Sequence, residues 1–266
     1  MNHDPFSWGR PSDETYGSYN NAIANAGNVS AFPKMNTQQP IITGTSVIAI
    51  KCKDGIIMAA DNLGSYGSLA RFDDIERLVE VGVNTVVGMS GDISDLQQVQ
   101  RMLEQLEIDQ SYEEETSALR AEHVHEYLSR VFYNRRSKMN PLWNACVVAG
   151  LSDDKPILRY VDLLGVTYES ACVATGFGGH LAIPLLRQKC DFEAEYADIS
   201  LDEAEKLVKE CMKVLYYRDA RALDKYSLCR IDNNAEKKVT ITKDVRCEDM
   251  KWEFAQHIKG YGTQVV

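Results

Sequence analysis

The chain has 266 residues, 44% apolar and 26% charged, within the ordinary range for a globular protein. Its 29 Lys and Arg against 39 Asp and Glu give a net charge of −10, and no basic stripe extends beyond Arg135-Arg136-Ser137-Lys138. Nucleic-acid binding, which relies on clustered cations at phosphates, is therefore disfavoured, and that cluster reads as the solvated end of a helix. No apolar run approaches the roughly 20 residues of a membrane helix, and the N-terminus lacks a basic region followed by an apolar core, so neither a membrane protein nor a secreted one is expected.

Seven cysteines (Cys52, Cys146, Cys172, Cys190, Cys211, Cys229 and Cys247) are odd in number, widely spaced and free of any CxxC pair. Neither a zinc site nor a disulfide framework fits this spacing, and reduced core thiols in a cytosolic or nuclear protein are expected.

Residues 1–36 are rich in Asn, Ser, Gly and Pro without a sustained period and read as a flexible leader. From Thr37 the chain reads as extended, and a domain begins that runs to residue 249. Asp54-Gly55 between two apolar runs predicts a hairpin closed by a type I′ turn, with positive φ at both central residues. The stretch Asp61–Ser68 reads as a turn-rich loop, followed by short strands near Leu78–Val81 and Thr85–Met89. Ser94-Asp95-Leu96-Gln97 offers a capping box for a helix carrying Leu96, Val99, Leu103 and Leu106. A second helix over about 117–136 carries Val124, Tyr127, Leu128, Val131 and Phe132 on one face.

Trp143–Gly150 is almost continuously apolar, as in a strand buried on both faces, with Pro156–Asp162 as its partner. Short strands are predicted at Val166–Tyr168 and Ala171–Thr175. A third helix follows through about Lys189, and a fourth opens on the capping box Ser200-Leu201-Asp202-Glu203. Strands Tyr226–Ile231 and Lys238–Ile241 finish the core. Strands that bury both faces, with helices arriving in pairs, predict an α+β fold of stacked sheets between helix layers. Residues 250–266 form a tail whose Trp252, Phe254, Ile258 and Tyr261 suggest packing on a neighbouring subunit.

Several motifs fail on inspection. Gly176-Phe177-Gly178-Gly179 lacks the spacing of a dinucleotide fingerprint, and Gly88-Met89-Ser90-Gly91 is not a nucleophile elbow. His123 and His125 face opposite sides of a helix and read as an exposed surface pair; no metal site and no cofactor are expected. Thr45 after Gly44 is different. A threonine released at a chain start can act as a nucleophile through its own α-amine, given a neighbouring cation and a supporting hydroxyl and carboxylate network.

Gly44-Thr45-Ser46-Val47, Ala59-Ala60-Asp61, Met89-Ser90-Gly91-Asp92, Ala174-Thr175-Gly176-Phe177-Gly178 and Tyr217-Arg218-Asp219-Ala220 follow in the order found in beta subunits of the 20S proteasome. The chain resembles that family over about residues 41–245. Leu63–Ser68, Arg135–Asn144 and Lys259–Thr263 narrow the resemblance to the non-catalytic type counted seventh in yeast-type rings.

The resemblance implies a four-layer αββα sandwich of the N-terminal-nucleophile hydrolase type. Thr45 falls at the family's nucleophile, Asp61 and Asp219 at its acidic partners, and Gly91 at its oxyanion-hole glycine. Arg77, Phe177 and Ala222 stand where catalytic members carry lysine, serine and serine. Arginine is a wide, permanently protonated fork that cannot replace a lysine sharing its proton, and two hydroxyls are gone. Coupled networks fail together, so no catalytic residue is expected and these seven positions read as vestigial.

The implied role is structural. The chain would occupy one place in a hetero-oligomeric four-ring core of alpha and beta subunits, in the cytoplasm and nucleus, serving ubiquitin-dependent degradation with regulatory particles bound to the assembled core. Its leader would be removed by a catalytic neighbour, at Asn36–Thr37 where the composition changes, and its tail would reach the facing beta ring. The alternatives are a working threonine endopeptidase with Thr45 as nucleophile, or a free-standing binding module.

Overall fold

A computed structural model describes residues 38–112, 119–153, 155–235 and 238–256. The strands are β1 (Ile42–Gly44), β2 (Val47–Cys52), β3 (Gly55–Asp61), β4 (Gly64–Tyr66), β5 (Leu69–Phe72), β6 (Leu78–Glu80) and β7 (Thr85–Asp92), then β8 (Asn144–Ser152), β9 (Lys155–Asp162), β10 (Thr167–Glu169), β11 (Cys172–Ala174), β12 (Tyr226–Asp232) and β13 (Val239–Val245). The helices are α1 (Ile93–Ser111), α2 (Ala121–Ser137), α3 (Gly178–Leu181), α4 (Ile183–Arg187) and α5 (Leu201–Arg218).

Two antiparallel sheets result. One runs β10-β9-β8-β7-β1-β4-β5, with β6 also paired to β7, and the other runs β11-β2-β3-β12-β13. Strand alternation explains the unbroken apolar runs. In β2, Val47 and Ala49 face the space between the sheets, meeting Val86, Val147, Ala149 and Leu158. Ile48, Ile50 and Cys52 face the other way, onto Leu186 of α4 and Ala204, Val208, Cys211 and Leu215 of α5. β7 and β8 do the same on their side: Val87, Met89, Cys146 and Val148 pack under Leu96, Val99 and Leu103 of α1 and Val124, Leu128 and Phe132 of α2. Three apolar layers between four structural ones make an αββα sandwich.

Local chemistry accounts for most boundaries. Ser200 caps α5 by accepting from the Glu203 amide, and Glu203 returns a bond to the Ser200 amide, as the sequence predicts. The start of α1 differs. Its cap is Asp92, whose carboxylate accepts from the Asp95 amide at 3.1 Å and also takes the Ser94 hydroxyl, so Ser94 lies inside the first turn. A carboxylate is the stronger partner for amides at the positive end of a helix. The predicted third helix is two short ones broken at Ala182, because Pro184 stands at the entry of α4 and has no amide to continue α3.

The hairpin prediction held in position but not in turn chemistry. Cys52 pairs with Gly55, so the turn is Lys53-Asp54, and neither residue has positive φ. Gly55 serves a different purpose. A Cβ there would collide with the Ile231 carbonyl, which β12 brings alongside. The expected loop after Asp61 contains a second hairpin, β4–β5, turning at Gly67-Ser68 with Gly67 at φ +58. His123 is exposed, but His125 is buried, its Nε2 bonded to the Tyr160 carbonyl at 3.2 Å, so the pair is not a surface pair. Arg135 closes the end of α2 by donating to the Asn140 carbonyl at 2.7 Å.

Candidate functional site

Thr45 lies in the two-residue break between β1 and β2, at the edge of a cleft of about 390 Å³ lined by Thr43, Gly44, Gly91, Asn144, Phe177 and Asp219 among others. β1 ahead of it is continuous sheet. Thr43 pairs with Ser65 of β4 on one side and with Asp92 of β7 on the other, and Gly44 pairs with Gly91. Gly91 has φ +98, and a Cβ there would meet the Trp143 carbonyl, so only glycine suits the position.

Arg77, immediately before β6, is 1% exposed and projects beneath this junction. Its Nε donates to the Asp61 carbonyl at 2.9 Å, Nη1 to the carbonyls of Thr45 at 2.9 Å and Met89 at 3.2 Å, and Nη2 to the Ser46 carbonyl at 2.9 Å and to Asp61 Oδ1. A guanidinium has five N–H donors. All five are spent, and the contact with Thr45 is to its carbonyl.

The Thr45 hydroxyl donates instead to Asp219 Oδ2 at 2.6 Å. Asp219 is the C-cap of α5, and its other oxygen accepts from the Arg221 amide at 2.9 Å. Asp61 ends β3, takes the Leu223 amide at 3.2 Å, and is 2% exposed. Burial pushes its carboxyl up, to about 6, against the pull of Arg77 and of the Leu223 amide. The loop 221–223 is thus held by the two aspartates, with the Ala222 amide closing a turn onto the Asp219 carbonyl.

Phe177, at the entry of α3, is 55% exposed and faces the cleft. Six of the positions singled out in the sequence (Thr45, Gly91, Phe177, Asp219 and, beneath them, Arg77 bound to Asp61) therefore meet at one place. Trp252 and Phe254 lie apart, against Tyr217 near the end of α5. Asn36, Thr37, Ile258 and Tyr261 fall outside the described residues.

Three supporting residues escaped sequence reasoning. The Ser46 hydroxyl accepts from the Gly178 amide at 2.8 Å, tying the Phe177 turn to the junction. Thr175 Oγ1 accepts from the Val47 amide at 2.8 Å. Asn144 donates to the carbonyls of Ser90 at 3.0 Å and Asp92 at 2.9 Å, bracing the strand end on both sides of Gly91. The adjacency of Ser46 to Thr45 was the one local signal; all four bonds join residues far apart in the chain.

The Thr45 hydroxyl is held on the Asp219 carboxylate, and the guanidinium beneath Thr45 has no donor to spare. Among the described residues, no group of three His, Cys, Asp or Glu side chains could hold a metal ion.

Comparison with known proteins places this geometry. The family described as Proteasome subunit matches residues 41–231, which takes in both sheets through most of β12. The chain is 55% identical to proteasome subunit beta type-7 of Saccharomyces cerevisiae over 271 aligned positions, covering 100% of each. It is 44% identical to the probable proteasome subunit beta type-7 of Schizosaccharomyces pombe, covering 97% of each, and 44% identical to proteasome subunit beta type-4 of Xenopus laevis, covering 87% of this chain and 93% of that one. The sandwich, the Thr45 junction and these matches together establish that the chain belongs to the proteasome subunit family.

Proposed function

We propose that this chain is a non-catalytic beta subunit of the 20S proteasome core, filling one place in a beta ring and shaping the chamber beside its catalytic neighbours. The observation that carries the reading is Arg77, whose five donors are all committed to the carbonyls of Thr45, Ser46, Asp61 and Met89 and to the Asp61 carboxylate. A residue so bound braces the junction and cannot exchange a proton with Thr45.

On this reading the leader is removed by a catalytic neighbour at Asn36–Thr37, leaving an extension ahead of Gly44, and the tail beyond Met250 contacts the facing beta ring. The assembled core, with regulatory particles, would work in cytoplasm and nucleus. The likeness to proteins named beta type-7 and beta type-4 supports the reading as a core subunit, and the intact β1 strand supports an extension ahead of Gly44.

Intact mass and N-terminal sequence of the mature chain, together with labelling by a threonine-directed covalent inhibitor, test the reading. A start upstream of Gly44 and no label are expected. A start at Thr45 with stoichiometric label would establish the working threonine endopeptidase instead.

A further inference from the structure

The end of α5 carries a contact that the cleft does not use. Tyr217 Oη donates to the Lys251 carbonyl at 2.8 Å, and the Lys251 amide donates back to the same oxygen at 2.9 Å. A phenol can donate once and accept as well, and here both capacities close on the backbone of a single residue. Lys213, one turn earlier on α5, adds a bond from Nζ to the Asp249 carbonyl at 3.1 Å. The Tyr217 ring also meets Trp252 edge-on at 5.0 Å and Phe254 at 5.5 Å between centroids.

Ring packing alone does not bury this segment, since Trp252 remains 54% exposed and Phe254 61%. The two bonds to Lys251 set its place and direction. We propose that Tyr217 is the positioning residue of the tail, a clasp that fixes where and at what angle the tail, arriving after β13, leaves the flank of α5 so that the aromatic residues beyond it reach a neighbouring subunit. This rests on the proposed reading of the tail as an inter-subunit contact. Ordering the root beforehand reduces the conformational entropy lost when the tail docks, which strengthens docking without any new contact.

The test uses the full chain within the assembled complex, in four forms: unaltered, truncated after Met250, Tyr217→Phe and Trp252→Ala. Tyr217→Phe keeps the ring and removes both hydrogen bonds. Hydrogen exchange at the Lys251 amide is expected to rise roughly three- to tenfold in Tyr217→Phe, as the loss of one or two net hydrogen bonds implies. Exchange in β12 should stay unchanged. The ratio of half-complexes to full cores, read on native gels, should rise by roughly twofold or more in Tyr217→Phe and further on truncation.

A raised ratio on truncation with an unaltered one in Tyr217→Phe overturns the clasp and leaves the tail reading standing. An unaltered ratio on truncation overturns the tail reading, and the proposal with it. Unchanged Lys251 exchange in Tyr217→Phe shows that the bonds do not hold the root, and also overturns the proposal.

Discussion

Gly44 sits directly over Arg77: a methyl group added at Gly44 would lie 2.5 Å from Arg77 Cδ and 3.0 Å from its Nε. The glycine ahead of Thr45 thus has a packing reason in this chain that owes nothing to cleavage. Because the guanidinium is locked by five hydrogen bonds, it cannot swing aside to make room.

Gly44→Ala is accordingly expected to destabilise the domain by about 1–3 kcal/mol, the usual cost of overpacking a rigid site. Thermal denaturation of purified cores carrying the variant would reveal it. Unchanged stability would mean that Arg77 has an alternative rotamer, contrary to its bonding.

Arg77→Lys keeps the charge but supplies three donors in place of five, and loses the planar fork. A loss of about 1–3 kcal/mol is expected from carbonyls left unpaired in the core. Arg77→Met should cost more, about 3–5 kcal/mol, because Asp61 then stays buried without its partner. Neither variant should gain label from a threonine-directed inhibitor. Labelling of Thr45 in Arg77→Lys would show that the arginine alone had silenced the site.

Burial pushes the thiols up: Cys52 to about 11, and Cys211, Cys229 and Cys247 to about 12, with Asp224 adding to the effect at Cys247. Cys146 and Cys172 are pushed further in the same direction. The reactive thiolate is therefore scarce at pH 8. Native alkylation followed by intact mass should add little, whereas the denatured chain should take up seven groups. Rapid native modification of Cys52, Cys146, Cys172, Cys211 or Cys229 would contradict their burial.

Burial lowers the pKa of His125, in the company of Arg159, against smaller opposing influences from the Tyr160 carbonyl and from Glu126 and Glu169. A base whose folded pKa is depressed takes up its proton more readily when unfolded. Its contribution to stability is present above the ordinary value near 6.5 and is lost as pH falls through the lower folded value. The melting temperature of the unaltered protein should consequently fall more steeply between about pH 6.5 and 5 than that of His125→Gln. Parallel curves for the two proteins would refute this.

Much of the sandwich was legible in the sequence. The stripe Ala204, Leu207, Val208, Cys211, Met212 and Leu215 specifies α5 and the face it buries, with Leu207 half-buried at its edge, and the Ser200–Glu203 box specifies where it starts. The continuous apolar runs of β2, β3 and β8 specify their two-sided burial. Short elements were less legible. β4 and β5 are three and four residues long, each residue of β5 is largely exposed, and their composition is that of a loop. β4 becomes a strand because β1 lends it a partner, and β5 pairs in turn with β4. The break at Ala182 was written in Pro184 but outweighed by the surrounding apolar residues.

By itself the sequence determined the alternation that makes three apolar layers and the start of α5 at its Ser200–Glu203 box. These are properties of residue type and spacing along a strand or helix. Only the tertiary structure decided what the remaining residues do. Arg77 is spent on five acceptors from four separate positions, the Thr45 hydroxyl lies on the Asp219 carboxylate 174 residues away in the chain, Gly55 admits β12, and Asp92 rather than Ser94 caps α1. Hydrogen bonds and close approaches between distant segments depend on where the sheets bring them, and no local pattern records that distance.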